Sequence, residues 1–158
     1  MNGDHELFMA MAIEEAKLGL SAGEQPFGAV VAREGELVTK ARSLKVSTSD
    51  TTAHSETLAI KYATQKLKQR IITGCTFYAT CEPCPMCLGA VLNAGIDTLV
   101  LGARNHHLKN MANLAFNFKD YSVERFAEMT GWDLEVIDGV MTDECVAMYR
   151  GTDISLTR

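Results

Sequence analysis

Three cysteines fall within seven positions, Cys81, Cys84 and Cys87, and this crowding constrains the chain more than any other feature of its sequence. The last two belong to the run Pro83-Cys84-Pro85-Met86-Cys87. Proline is well tolerated in the first turn of a helix, so a helix is expected to begin at Pro85. Side chains three apart share a helix face, which lets Cys84 and Cys87 grip one metal ion. The partial positive charge at the helix N-terminus favours their thiolate forms. Five cysteines in all is an odd count, and this clustering suits metal binding in a reducing compartment better than a disulfide framework. Cys75 and Cys145 stand apart and read as small buried apolar side chains.

A second motif stands at the mouth of another expected helix. The polar stretch from Ser47 to Thr52 supplies N-cap chemistry for a helical pattern running through Ala53, Leu58, Ala59, Tyr62, Ala63 and Leu67. His54-Ser55-Glu56 lies at its start. With Cys84 and Cys87, His54 makes a Cys2His set whose three ligands leave the fourth tetrahedral position to water, the arrangement of a catalytic zinc. A structural site would want a fourth ligand, and a thioredoxin-like dithiol would leave His54 and Glu56 unexplained. Zinc lowers the pKa of bound water to about 7. Glu56, two residues past the histidine, is placed to take a proton from that water, hand it to a ring nitrogen, and then protonate a departing amine as base and acid in turn. Each motif alone is weak; their combination is the zinc-deaminase signature. One zinc per chain is expected, held by His54, Cys84 and Cys87, with Glu56 catalytic.

The rest of the chain supplies alternating helices and strands. Apolar residues at three- and four-residue spacing predict a helix over 6–20, ended by Ser21-Ala22-Gly23. Strands over 29–32 and 37–39 flank a turn at Glu34-Gly35 and read as a β-hairpin. Further strands are expected over 76–79, 96–101 and 134–137, and further helices over 122–129 and 143–149, with Asn93-Ala94-Gly95 closing the helix that begins at Pro85. Trp132 reads as packing. The pattern implies a three-layer α/β/α arrangement with a mixed central sheet. A length of 158 residues without an interdomain linker or repeat is that of one domain.

The runs Pro26-Phe27-Gly28-Ala29-Val30, Thr52-Ala53-His54-Ser55-Glu56 and Cys81-Glu82-Pro83-Cys84-Pro85-Met86-Cys87-Leu88-Gly89-Ala90 resemble the cytidine deaminase-like superfamily of zinc deaminases. Its bacterial guanine deaminase, yeast cytosine deaminase and tRNA-specific adenosine deaminase branches are the most similar. The resemblance covers roughly residues 6–104 and implies that superfamily's layered sheet and a homodimer. It implies substrate contacts at Phe27, Ser43, Ser55, Pro83 and His107. The run from Cys81 to Ala90 looks most like the guanine deaminase branch, where the phenylalanine matching Phe27 borders the base. Ser43 stands where these relatives carry a ring-binding asparagine, and Ser55 where they carry alanine. A hydroxyl is shorter and bonds less than a carboxamide, so the pocket is expected to prefer a different ring. The segment from Arg104 through Phe118 is expected to border the pocket, with Phe116 and Phe118 able to stack on a planar ring. Asp138 and Asp143 lie near an acidic substrate contact of cytosine deaminase.

Charge completes the expectation. The formal net charge is -5, so no global positive field draws phosphate backbones, and a nucleic-acid partner is not expected. Lys61, Lys66, Lys68 and Arg70 read as a solvated helix face. The polar, acidic start lacks a secretory signal and no apolar run is long enough to span a bilayer, which points to the cytoplasm. The leading functional expectation is hydrolytic deamination of a free base such as guanine, cytosine or a related ring. Adenosine-to-inosine deamination in tRNA is the alternative, and a non-catalytic zinc-binding module on the same scaffold is a third.

Overall fold

The computed structural model of the chain describes residues 2–108 and 119–150. Its elements run α1 (Asn2–Ser21), β1 (Gly28–Arg33), β2 (Glu36–Arg42), α2 (Ser55–Leu67), β3 (Cys75–Cys81), α3 (Pro85–Asn93), β4 (Thr98–Ala103), α4 (Asn105–Leu108), α5 (Val123–Thr130), β5 (Glu135–Ile137) and α6 (Thr142–Tyr149). The strands form one sheet in the order β2-β1-β3-β4-β5. β1 runs antiparallel to both β2 and β3, whereas β3, β4 and β5 are mutually parallel, so the sheet is mixed.

Strand side chains alternate between faces, and here the alternation divides the core in two. Val30, Ala32, Tyr78 and Val100 face Phe8, Met9, Ala12, Ile13 and Ala16 of α1 and Cys145, Val146 and Tyr149 of α6. Ala29, Val31, Phe77, Ala79, Leu99 and Leu101 face Ala59 and Ala63 of α2, Leu88 and Val91 of α3 and Val123 of α5. Covering both faces with helices explains why the inner strands read as continuous apolar runs. Gly28 is required where α1 crosses the sheet, because a Cβ there would lie 1.9 Å from the carbonyl oxygen of Ala12. The hairpin turn puts Glu34 and Gly35 both at positive φ, 53° and 78°, as a tight two-residue connection demands.

Topology decides where chemistry can gather. β2, antiparallel to β1, runs in the direction of β3, so β2, β3, β4 and β5 all end at one edge of the sheet, where β1 begins. Phe27 enters β1 there, Ser43 leaves β2, Cys84 follows β3, and Arg104 and His107 follow β4. Such an edge is where open α/β sheets carry their ligands.

The expected architecture is present, with local differences. α1 starts at Asn2 rather than Glu6, and β3 runs on to Cys81, so the first of the three clustered cysteines ends a strand. The short α4 was not expected; four residues are too few for periodicity to reveal. Cys75, Cys145 and Trp132 pack into the core as expected. Lys61, Lys66, Lys68 and Arg70 are exposed, with Lys66 Nζ reaching back to the Val38 carbonyl at 2.8 Å. Phe116 and Phe118 lie outside the described residues. Among those described, no helix is long and apolar enough to cross a membrane.

Candidate metal and catalytic site

Two helix N-termini meet at the site. His54 is the N-cap of α2 (φ -70°, ψ 156°) and Cys84 the N-cap of α3 (φ -68°, ψ 167°), and neither side chain caps its own helix. Extended backbone at both positions turns the two side chains toward each other. Cys87, in the first turn of α3, completes the group: His54 Nδ1 lies 3.8 Å from Cys84 Sγ and 3.4 Å from Cys87 Sγ, and the two sulfurs are 3.5 Å apart. All three donors fall within 4.8 Å of one another. A tetrahedral zinc with ordinary bond lengths would separate two thiolates by about 3.8 Å and a thiolate from an imidazole nitrogen by about 3.6 Å. The donor set therefore fits such an ion in both chemistry and spacing. Cys87 is buried while His54 and Cys84 are half-buried, so the group opens to one side.

The electrostatics agree. The Cys87 thiol donating to Cys84, with His54 beside it, draws the Cys84 thiol down to about 4 against the cost of burial. The thiolate in turn pushes Cys87 up, and burial adds to this. Its hydrogen bond with Cys84 raises the imidazolium pKa of His54. A divalent ion bound here would displace the protons that the free donors carry.

Glu56, one residue into α2, is buried, and its Oε2 accepts a 2.8 Å hydrogen bond from Ser55 Oγ. Burial raises its carboxyl pKa, with His54 pulling the other way. A carboxyl that keeps its proton to a higher pH is suited to shuttling protons near neutrality.

The remaining expected residues gather on the same edge in different states. Ser55 is fully buried and its hydroxyl is engaged by Glu56. Ser43 is buried; its backbone N–H donates to the Phe27 carbonyl at 3.4 Å, and its Oγ accepts from the Lys45 N–H at 3.4 Å. The Phe27 ring packs against Tyr149 with centroids 5.6 Å apart. The Pro83 carbonyl accepts from the Tyr121 hydroxyl at 2.5 Å. His107 Nδ1 accepts the Arg104 backbone N–H at 2.9 Å.

Sequence reasoning passed over the polar network around Glu82, two residues before Cys84. Glu82 is buried, and its carboxylate receives Arg104 Nη1 at 3.3 Å, the Val123 N–H at 3.2 Å and the Asn105 N–H at 3.1 Å. Arg104 also binds Glu124 at 2.6 Å and Asp138 at 2.8 Å. Asp138, expected near substrate, is thus paired with Arg104. The one signal for the network was Glu82 itself, an acid directly before the Pro-Cys pair and next to a core strand. A second passed-over acid, buried Glu24, accepts the N–H groups of Val46 and Ser47 at 2.9 and 2.8 Å and pins the loop that carries Ser43.

Comparison with known proteins agrees with this architecture. The tRNA-specific adenosine deaminase of Bacillus subtilis is 36% identical over 143 residues, spanning 90% of this chain and 84% of that protein. The guanine deaminase of the same organism is 39% identical over 89 residues, spanning 56% of this chain and 57% of its own length. A solved structure from work on A-to-I editing by tRNA:A34 deaminases superposes with a TM-score of 0.76 at 28% identity, covering 89% of this chain and 97% of that one. The expected cytidine deaminase-like α/β fold is therefore the one observed. Residues 3–143 match the MafB19-like deaminase family, to which this chain belongs.

Proposed function

We propose that the chain is a zinc-dependent hydrolytic deaminase that exchanges the exocyclic amine of a nucleobase for oxygen and releases ammonia, with adenosine in tRNA as its first substrate. The observation that carries the chemistry is the convergence of His54, Cys84 and Cys87 at tetrahedral spacing beside the buried Glu56. Zinc held there would acidify a water to a pKa of about 7. Glu56 accepts a proton from the attacking water and delivers it to the ring nitrogen next to the amine, then takes the proton left on the added hydroxyl and passes it to the departing nitrogen, so that ammonia leaves as the carbonyl forms. The Ser55 hydroxyl fixes one carboxylate oxygen and so holds Glu56 in one orientation for these transfers. Each copy of this single domain would hold one ion, and the active form is a homodimer.

The substrate order reverses the one expected from net charge and from the guanine deaminase-like run Cys81 to Ala90. Net charge argued against nucleic acid, but a relative 36% identical over nine-tenths of the chain is named a tRNA-specific adenosine deaminase, which supports an RNA partner. Binding phosphates needs a local surface, not a basic total. An RNA substrate would have its base flipped out of the stack into the edge formed by Phe27, Ser43 and His107. A free purine is the second reading, favoured by the 39% identity to guanine deaminase. A non-catalytic module would have no use for Glu56, whose burial raises its pKa.

The deciding assay incubates zinc-loaded protein with tRNA and with a panel of free bases and nucleosides. Inosine in the tRNA supports the first reading. Ammonia from guanine or a related base, without inosine, supports the second. Silence on every substrate would defeat the deaminase proposal.

A further inference from the structure

Glu82 lies two residues before Cys84 in the chain, and its carboxylate pairs with Arg104. From this geometry we propose that the buried Glu82–Arg104 pair is the positioning unit that pre-forms the metal loop, holding Cys84 where it must be before any ion arrives. The inference rests on the zinc reading above.

Three observations carry it. The Glu82 carboxylate receives three donors from two separate segments: the Arg104 guanidinium and the Asn105 N–H at the junction of β4 and α4, and the Val123 N–H opening α5. The Glu82 backbone N–H also donates to the Ala103 carbonyl at 2.8 Å, so the residue is fastened to the end of β4 at both main chain and side chain. On the other side, the Tyr121 hydroxyl holds the Pro83 carbonyl at 2.5 Å, fixing the peptide that enters Cys84. The segment from Glu82 to Cys84 thus has its course set by polar contacts from chain distant in sequence. Removing one partner of such a network leaves a buried donor or charge unpaired, so the rest must move.

The partners of Arg104 are not equivalent. Glu82 is 5% exposed at its side chain, whereas Glu124 and Asp138 are 51% and 47% exposed. Water can replace the last two but not the first. The metal loop should therefore respond to Glu82 and to Arg104 and be nearly indifferent to Glu124 and Asp138. A contact network of only structural value would lower stability without this ranking in metal affinity.

The test is a cobalt(II) titration of metal-free, folded protein, following the thiolate charge-transfer and ligand-field bands, with folding checked by circular dichroism. The variants are Glu82→Gln, Arg104→Gln, Glu124→Gln and Asp138→Asn. Outer partners of metal ligands alter affinity by about 10- to 100-fold. Glu82→Gln is expected to bind cobalt at least 10-fold more weakly, with altered ligand-field intensity, and Arg104→Gln several-fold more weakly. Glu124→Gln and Asp138→Asn should stay within about 2-fold of the parent. Parental affinity and spectrum in folded Glu82→Gln overturns the proposal. Should Glu82→Gln fail to fold, Arg104→Gln at parental affinity overturns it equally. A parent chain that binds no cobalt defeats the zinc reading itself, which separates the two failures.

Discussion

The N-termini of α2 and α3 differ from that of α5 in a way that separates function from folding. At α5, Ser122 accepts the Arg125 N–H at 3.1 Å, the ordinary way to satisfy a helix start. At α2 and α3 the same position is held by His54 and Cys84, whose side chains turn away from their own helices and toward each other. Leaving a helix without a good cap costs about 1 kcal/mol. Two adjacent helices forgo it, and the His54, Cys84 and Cys87 group, whose spacing fits a metal ion, stands at their meeting point. Where a sequence declines a cheap local stabilisation twice in facing positions, the reason is to be sought in what those side chains do together.

That comparison can be broken by experiment, and the largest effect is expected at His54. His54→Ser removes a donor, so zinc affinity should fall by more than 100-fold in a competition titration; affinity near that of the parent would show that the imidazole is not a ligand. Next in size is the ordinary cap. Ser122→Ala should lower stability by about 1 kcal/mol in urea denaturation while leaving zinc affinity alone, and a change in affinity would mean that α5 is not the plain structural end it looks. The reverse effect at α2 is smaller. In metal-free protein, the serine of His54→Ser can cap the helix, so stability should rise by about 0.5 kcal/mol or more. A loss there would show that His54 stabilises the fold without metal.

The finest contrast concerns pH. Burial raises the pKa of Glu56, so in metal-free protein the folded chain keeps a proton that the unfolded chain has already released. Folding stability contributed by this group therefore falls as pH rises through the window from the ordinary carboxylate pKa to the raised one. Glu56→Gln has no such proton, and its stability relative to the parent should grow across that window. A difference that stays flat with pH would place Glu56 in a better-solvated setting than its burial implies.

Much of this was legible in the sequence, and the reason is local. The hairpin announced itself by Glu34-Gly35, whose positive φ angles leave few other conformations. α3 announced itself by Pro85, and the convergence of His54, Cys84 and Cys87 by their types and spacing, because ligand chemistry permits few residue types and helix geometry few spacings. What stayed hidden depends on contacts between distant segments. Nothing near Glu82 in sequence tells that Arg104, Asn105 and Val123 will meet its carboxylate. Nothing near Glu24 tells that it will pin the Ser43 loop. Charge composition misled for a related reason: it sums the whole surface, whereas a partner meets one part of it.

The proposed deamination requires Glu56 to move protons beside a zinc ion held by His54, Cys84 and Cys87. Metal analysis and ammonia release, measured together on zinc-loaded parent and Glu56→Gln, test it most directly. About one zinc per chain is expected in both proteins, with turnover lower by about 10³-fold in the variant. Zinc absent from the parent, or Glu56→Gln releasing ammonia at the parental rate, would contradict it.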